Sequence, residues 1–147
     1  MRLTLDVNGT RREIEARTNE MLMDVLRREL GILSVRETCG IGVCGACTVL
    51  VDGVPISGCL MLAAAAEGRE VVTVEGLGGD DPVQRAFVEA HAFQCGYCTP
   101  GMILAAKGLL AEIPSPSETE IRESLSGNLC RCGCYVKIAD AVRRAAA

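Results

Sequence analysis

The sequence has few aromatic residues and no tryptophan. Two tyrosines and two phenylalanines in 147 residues make a surface for stacking nucleic-acid bases implausible. Lysine and arginine do not occur in runs longer than two, and the formal net charge is -4, which argues against a groove that follows phosphates. Because large aromatic side chains are scarce, the core must be built from aliphatic residues and alanine. We therefore expect no nucleic-acid partner.

Long hydrophobic runs are scarce as well. The longest, Cys59 to Ala66, is far shorter than the roughly 18 residues of a membrane span. The first ten residues alternate apolar and polar side chains, unlike the continuous apolar stretch of a signal peptide. We expect a cytoplasmic protein with no membrane span. In that reducing compartment, nine cysteines are expected to bind metals or to react, since disulfides are rare there.

The first half of the chain has the pattern of a small α+β unit. Apolar residues alternate on either side of Asn8-Gly9, and apolar segments flank Asp52-Gly53, which predicts two β-hairpins. Between the hairpins, an apolar series from Leu22 to Leu30 falls at helical spacing, and Thr18 or Asn19 can cap that helix. The cysteine-rich loop follows this helix.

The second half is predicted to be helical, after one more strand at residues 69–76 and a linker at 77–81. Four short helices are expected at residues 83–93, 101–112, 121–125 and 135–145. Capping signals precede three of them: Asp81 with Pro82, Thr99 with Pro100, and Ser117 with Glu120. We therefore expect two domains, residues 1–76 and 77–147.

Eight of the nine cysteines divide into two sets of four. The first set comprises Cys39, Cys44, Cys47 and Cys59, and the second comprises Cys95, Cys98, Cys130 and Cys132. The C-x4-C-x2-C…C order of the first set is that of plant-type ferredoxins, in which four thiolates hold a 2Fe-2S cluster. A structural zinc is its alternative, although zinc ribbons favour two C-x2-C pairs. The second set, C-x2-C and then C-x-C, leaves a cluster and a structural zinc equally open.

Histidine limits the type of cluster. A Rieske centre needs two histidine ligands, and the chain has only His91, which is expected on a helix at the surface. If the two centres are clusters, their ligands must therefore all be cysteines.

Three strings taken together resemble a known family. They are CGIGVCGACTVLVDG at residues 39–53, QCGYCTPGM at 94–102 and GNLCRCGCY at 127–135. In this order they resemble the iron-sulfur subunit of the molybdenum hydroxylases, which include xanthine dehydrogenase, aldehyde oxidoreductase and carbon monoxide dehydrogenase. The resemblance covers nearly the whole chain. It implies a β-grasp ferredoxin-like domain followed by a four-helix bundle, each with one 2Fe-2S cluster on its set of four cysteines.

The resemblance also implies a function within a complex. The chain would be an electron-transfer subunit, not catalytic alone, in an oxidoreductase whose large subunit binds molybdopterin, in a dinucleotide form. Electrons would enter at the second cysteine set and leave from the first set, towards FAD in a medium subunit. A dimer of heterotrimers is implied. The alternatives are a free-standing double 2Fe-2S ferredoxin that serves several partners and a two-zinc scaffold protein.

Four further residues receive expectations from the resemblance. Gln94 would hydrogen-bond the pterin, and the Cys132 sulfur would lie close to the pterin amino group. Val43 stands where relatives often carry Gln or another polar residue. Cys134, the ninth cysteine, stands where relatives usually have Thr or Gly, and we expect it to be a non-ligand at the start of the last helix.

Overall fold

The computed structural model describes residues 1–146, which form a five-stranded sheet with one helix, followed by four more helices. The strands are β1 (Arg2–Val7), β2 (Thr10–Glu15), β3 (Thr48–Val51), β4 (Val54–Ser57) and β5 (Glu70–Val72). The helices are α1 (Leu22–Arg28), α2 (Pro82–Glu89), α3 (Thr99–Glu112), α4 (Glu118–Ser124) and α5 (Tyr135–Ala145). The α+β class expected from the sequence is confirmed.

The sheet is mixed, with strand order β2-β1-β5-β3-β4. Strands β1 and β5 run parallel, and the other neighbouring pairs are antiparallel. Both predicted hairpins are present. Their turn residues have positive φ, 53° and 71° at Asn8-Gly9 and 49° and 79° at Asp52-Gly53, as a two-residue type I′ turn requires.

One hydrophobic core lies between the sheet and α1. Alternate side chains of β1 enter it together with the apolar face of the helix: Leu3, Leu5, Val7, Leu22, Val25 and Leu26. Full burial of an aliphatic side chain of this size stabilises the fold by roughly 1.5–3 kcal/mol. The core therefore fixes the ends of α1 and β3, between which the first cysteine loop runs.

The start of α1 differs from the sequence prediction. The residue before its first turn is Met21, and neither Thr18 nor Asn19 caps the helix. The backbone N–H of Leu22 bonds to the carbonyl of Met61 at 2.7 Å, and the N–H of Met23 bonds to that of Gly58 at 3.0 Å. Because a neighbouring loop satisfies these donors, the helix can begin without a polar cap.

The helices α2 to α5 enclose a second core. Each contacts two of the others, in the ring α2–α3–α4–α5, around side chains that include Phe87, Met102, Ile121 and Ile138. The predicted cap at Asp81 and the predicted capping box at Ser117 are present, and Asp81 also forms a capping box with Gln84. Within residues 1–146, no helix is long and apolar enough to cross a bilayer.

Three further predictions are corrected by the structure. Helix α2 ends at Glu89, before His91, which has φ 49°. The N–H groups of His91 and Ala92 bond back to the carbonyls of Val88 and Phe87 at 3.1 and 2.9 Å, a Schellman ending with histidine in place of glycine. Helix α3 begins after Cys98, so Thr99 is its first residue instead of its cap.

The strand expected at residues 69–76 is the third correction. Only Glu70–Val72 pair as β5, and Val74–Leu77 form a 3-10 turn. The side chain of Asn8 accounts for the change, because its Oδ1 accepts the N–H of Thr73 at 2.8 Å and its Nδ2 donates to the Thr73 hydroxyl at 2.9 Å. These side-chain bonds replace the next rung of the backbone ladder.

Helix α3 joins the two cores. It packs directly on β3 and β4, and two glycines seven residues apart, Gly101 and Gly108, lie at the contact. A Cβ at position 101 would lie 2.5 Å from the Gly45 carbonyl oxygen, and one at 108 would lie 2.1 Å from Cγ of Pro55. Residues seven apart share a helix face, so the missing side chains let the helix backbone touch the first unit.

Candidate metal centres

The first cysteine set lies at one end of the β3–β4 hairpin. Cys47 directly precedes β3, and Cys59 follows shortly after β4. Thr48 pairs with Ser57 in the antiparallel ladder, so the two cysteines leave the hairpin at the same end. The Gly58 N–H bonds to the Cys47 carbonyl at 3.1 Å, and the Cys59 thiol contributes to the shifted pKa of Cys47. Cys47 and Cys59 are only 2% and 5% exposed.

Cys39 and Cys44 form the outer pair of the first set. Backbone N–H groups point at the Cys39 sulfur, and the Cys44 thiol also lowers the pKa of Cys39. The N–H groups of Val43 and Cys44 lie 3.4 Å from that sulfur. With the N–H of Ile41 as the largest contribution, these donors lower the pKa of Cys39 to about 6. The loop is therefore built to hold a thiolate at this position.

Burial acts in the opposite direction on the pKa of Cys47, one of the inner pair. It raises the pKa of Cys47 to about 11, because a thiolate loses its hydration in an apolar environment. A buried thiol of this kind becomes a thiolate only when a cation compensates its charge, and metal binding does so with release of the proton. The inner pair thus suits a metal centre better than a reactive thiol.

The second cysteine set is assembled from two loops of the helical unit. Cys95 and Cys98 lie between α2 and α3, and Cys130 and Cys132 lie between α4 and α5. Thiols of the two loops influence each other's ionisation, since Cys130 raises the pKa of Cys98 and Cys132 lowers the pKa of Cys95. Loops distant in sequence therefore bring all four predicted thiols into one neighbourhood.

Backbone donors also serve the second set. The N–H of Tyr97 points at the Cys95 sulfur at 3.5 Å, and the N–H of Cys134 points at the Cys130 sulfur at 3.4 Å. The Tyr97 donor is the main cause of a lowered pKa at Cys95. Burial raises the pKa of Cys98 to about 12. As in the first set, one thiol is favoured as a thiolate by N–H groups and another needs a metal to ionise.

The chemistry of the donor sets indicates which metal group fits. Structural zinc requires four ligands around one ion, whereas a 2Fe-2S cluster shares four thiolates between two irons. Backbone N–H groups point at the sulfurs of Cys39, Cys95 and Cys130. Hydrogen bonds of this kind tune the potential of an iron-sulfur cluster, so the residues present fit a cluster.

The cysteine sets face each other across a cavity of about 440 Å³. Cys44 of the first set lines it together with Cys95, Cys98 and Cys130 of the second. The Leu129 N–H bonds to the Cys44 carbonyl at 2.8 Å, directly next to Cys130. The two candidate centres are therefore neighbours, as transfer of an electron between them requires.

Tyr97 makes a second connection between the two units. Its hydroxyl donates to the Glu37 carbonyl at 3.0 Å and lies 3.3 Å from the Thr38 hydroxyl, and the Arg36 guanidinium lies over its ring, 5.1 Å from the centroid. Sequence analysis missed this role, because a tyrosine between two cysteines carries no signal for a partner sixty residues away.

Gln94 lies next to the half-buried Cys132. Gln94 is exposed, and its Nε2 lies 3.5 Å from the Cys132 carbonyl. Cys134 is buried at the start of α5, where sequence analysis placed it. Its side chain makes no capping hydrogen bond within residues 1–146. Val43 is 56% exposed, beside Ile41 at 70%.

Comparison with known protein families gives two matches that divide the chain. Residues 5–73 match the 2Fe-2S iron-sulfur cluster binding domain, and residues 73–143 match the 2Fe-2S binding domain. Each match contains one of the two cysteine sets. The boundary between them falls at Thr73, next to the 3-10 turn that precedes the helical unit.

Individual relatives extend over the whole chain. The small FeS subunit of nicotinate dehydrogenase from Eubacterium barkeri is 49% identical over 146 residues, which are 97% of this chain and 93% of that one. Quinoline 2-oxidoreductase from Pseudomonas putida 86 contains a chain that superposes with a TM-score of 0.94 and 45% identity, covering 99% of this chain and 92% of that one.

The third comparison is with a much longer chain. Aldehyde oxidoreductase from Desulfovibrio desulfuricans ATCC 27774 matches with a TM-score of 0.93 and 43% identity over 99% of this chain, but over 17% of its own length. The fold described above thus also occurs as one part of a larger polypeptide.

Proposed function

The chain belongs to the iron-sulfur subunits of the molybdenum hydroxylases, and we propose that it relays electrons from a molybdopterin-binding large subunit to FAD in a further subunit. The observation that carries the proposal is the pair of four-thiol sets on facing loops, with Leu129 hydrogen-bonded to Cys44 between them. A 2Fe-2S cluster, when bound, takes up and releases one electron. The chain itself supplies ligands, insulation and contact surfaces.

We propose that each set of four cysteines holds one 2Fe-2S cluster. Cys39, Cys44, Cys47 and Cys59 would hold the first, and Cys95, Cys98, Cys130 and Cys132 the second. In support, each set contains a sulfur that accepts backbone N–H groups, Cys39 and Cys130 among them. Hydrogen bonds to sulfur are one way in which a protein sets the potential of a cluster.

The proposed direction of transfer rests on two exposed surfaces. Gln94 and Cys132 would face the molybdopterin, since the amide of Gln94 offers a donor and an acceptor at the surface. The outer part of the first loop would face the flavin subunit, with Ile41 and Val43 exposed there. Substitution Gln94→Ala should slow reduction of the chain by substrate without lowering its Tm; an equal loss of Tm would contradict a contact role.

The assembly and the domains complete the proposal. Residues 1–76 would be a β-grasp ferredoxin-like domain and residues 77–147 a four-helix bundle, with 77–81 as the linker. Support comes from the mixed sheet with its single helix and from the ring of contacts among α2 to α5. We propose a dimer of heterotrimers in the cytoplasm, where nine cysteines would stay reduced.

Metal analysis and paired variants test the function. The complex should contain about four iron atoms and about four acid-labile sulfides for this chain, as two 2Fe-2S clusters require. Cys39→Ser should slow reoxidation by the acceptor while substrate still reduces the second cluster. Cys130→Ser should block reduction at its first step. If Cys39→Ser abolished reduction of the second cluster by substrate, the proposed order would be wrong, and stoichiometric zinc would contradict the clusters.

A further inference from the structure

Asn128 is a buried polar residue at the contact between the two cysteine loops. It is 7% exposed, and it lies two residues before Cys130. Its Nδ2 donates to the Gly45 carbonyl at 3.0 Å and to the Thr48 hydroxyl at 3.2 Å. Both acceptors belong to the first unit and flank Cys47. One side chain of the second loop is thereby bonded to both sides of a first-loop cysteine.

The two loops approach each other closely at Gly45, beside Asn128. Gly45 has φ 70°, and a Cβ there would lie 2.4 Å from the Gly127 carbonyl oxygen and 2.6 Å from Nδ2 of Asn128. On its other side, the Gly45 carbonyl meets Gly101 of α3. A shift of either loop by a fraction of an ångström would therefore break a hydrogen bond or cause a clash.

The bonding pattern defines the position of Asn128 in three dimensions. The Thr48 hydroxyl donates to the Gly45 carbonyl at 2.7 Å, so Asn128, Gly45 and Thr48 form a closed triangle. Hydrogen bonds are directional, whereas apolar contacts such as those of α3 on the sheet are not. The triangle is thus suited to set the angle between the loops as well as their distance.

We propose that Asn128 is a positioning residue that locks the first cysteine loop against the second and so fixes the separation and orientation of the two proposed clusters. The effect on the clusters rests on the proposed function, whereas the contact between the two loops does not depend on it. The Leu129 N–H, bonded to the Cys44 carbonyl, lies immediately next to Asn128 and reports whether the lock is closed.

Hydrogen exchange of backbone amides in the assembled complex tests whether Asn128 holds the two loops together. This measurement does not depend on a metal signal. Asn128→Ala removes two hydrogen bonds, and Thr48→Val removes the hydroxyl at the other corner. We expect exchange in the peptide that contains Leu129 to become at least roughly fivefold faster in each variant, since one hydrogen bond contributes on the order of 1 kcal/mol. Thr48→Ser keeps the hydroxyl and should behave as wild type.

A spectroscopic signature separates positioning from mere stability. When both clusters are reduced, each carries an unpaired spin, and the magnetic interaction between them depends on their distance and orientation. Asn128→Ala and Thr48→Val should change or broaden the resulting splitting in the electron paramagnetic resonance spectrum, and Thr48→Ser should restore it. Thr48 provides the milder pair of variants if Asn128→Ala fails to assemble.

Asn8 provides the matched control. It makes the same kind of paired bonds, but with Thr73 inside the first unit. Asn8 has φ 53°, so Asn8→Gly removes the side chain without backbone strain. This variant should lower Tm while leaving the splitting and the Leu129 exchange unchanged.

The outcomes distinguish the two proposals. If Asn128→Ala left both the splitting and the Leu129 exchange as in wild type, or if Asn8→Gly changed them equally, the inference would be overturned. A wild-type complex without iron would contradict the proposed function, and the exchange measurement would still decide whether Asn128 locks the loops.

Discussion

Cys134 lies beside the second cysteine set, and its backbone position distinguishes it from the expected ligands. Its N–H points at the Cys130 sulfur, its side chain is 5% exposed, and burial raises its pKa. Using it as a ligand in place of Cys132 would insert Gly133, which has φ 77°, into the ligand span. Cys134 thus contributes a backbone donor to the site, for which its sulfur is not needed.

We therefore predict that Cys134→Thr retains both clusters. The N–H donor to Cys130 is unchanged by the substitution, and Thr fits the volume of Cys with a hydroxyl at the first turn of α5. Iron content and the two reduced-cluster signals should equal those of wild type. Cys132→Ser is the matched variant and should lose the second cluster. If Cys134→Thr lost the second cluster and Cys132→Ser kept it, Cys134 would be the ligand instead of Cys132.

At the residue scale, spacing carries the information about the first cysteine set. The C-x4-C-x2-C order predicts that Cys39, Cys44, Cys47 and Cys59 hold one cluster, and the matched 2Fe-2S domain at residues 5–73 contains all four. Asn128 had no such signal, because its partners Gly45 and Thr48 are 83 and 80 residues away in sequence. A buried asparagine in a loop resembles any turn residue until its acceptors are known.

Among the elements, α3 has the feature with the clearest consequence. Gly108→Ala on an exposed helix would stabilise it by roughly 1 kcal/mol. Here the added Cβ would lie 2.1 Å from Pro55, and overpacking costs about 1–3 kcal/mol. Because the steric cost exceeds the gain in helix propensity, we predict a lower free energy of unfolding for the variant, measured by chemical denaturation.

A double mutant tests whether Pro55 is the cause. Pro55→Ala opens space beside position 108, so the loss from Gly108→Ala should be smaller in the Pro55→Ala background than in wild type. Additive losses would show that the clash lies elsewhere. Gly127→Ala is a control, since a Cβ at that position has nothing within 4 Å.

The loop before α1 gives the element-scale pH prediction. The Arg17 N–H, at 2.9 Å, lowers the pKa of the buried Glu20 carboxyl; burial acts against this, and the Arg28 guanidinium adds to it. A carboxyl whose pKa is lower in the folded state stabilises the fold above its unfolded pKa of about 4.3, and the contribution is lost as pH falls through the folded pKa.

Glu20→Gln should therefore be less stable than wild type near neutral pH, and the difference in Tm should shrink as the pH is lowered from about 6 to about 3. Glu13→Gln, on the exposed side of β2, is the control and should differ little from wild type throughout. A Tm difference for Glu20→Gln that stayed constant with pH would contradict the role of the carboxylate.

Element boundaries were predicted where local chemistry decides them. The Asn8-Gly9 and Asp52-Gly53 turns and the Asp81 and Ser117 capping boxes act within a few residues, and all four are present. The predicted cap of α1 was wrong. The carbonyls of Met61 and Gly58, which are distant in sequence, accept the N–H groups at the start of that helix. Helix α2 ends early, at Glu89, because His91 adopts a positive φ that no helical periodicity signals.

For the whole molecule, each of the two cores is built mainly from aliphatic side chains, most of which are not cysteines. Cys47 and Cys59 belong to the first core, and Cys130 belongs to the second. Removal of iron by a chelator should therefore leave most of the helix and sheet signal in far-ultraviolet circular dichroism. The Tm should fall, because a group that binds only the folded state stabilises it.

Amide exchange should locate that loss in the cysteine loops, residues 37–47, 93–98 and 129–134. The strands β1 and β3 and the helix α3 serve as internal controls and should keep their protection. Complete loss of secondary structure on chelation would show that the clusters, and not the cores, carry the fold.

The glycine contact of α3 also has a consequence for how such chains diverge. Position 108 faces Pro55, and position 101 faces the carbonyl of Gly45, so neither half can accept a new side chain at the contact on its own. Across an alignment of homologues, residues 55 and 108 should co-vary, with any larger residue at 108 accompanied by a smaller one at 55. Halves exchanged between distant homologues should function only when these two positions are exchanged together.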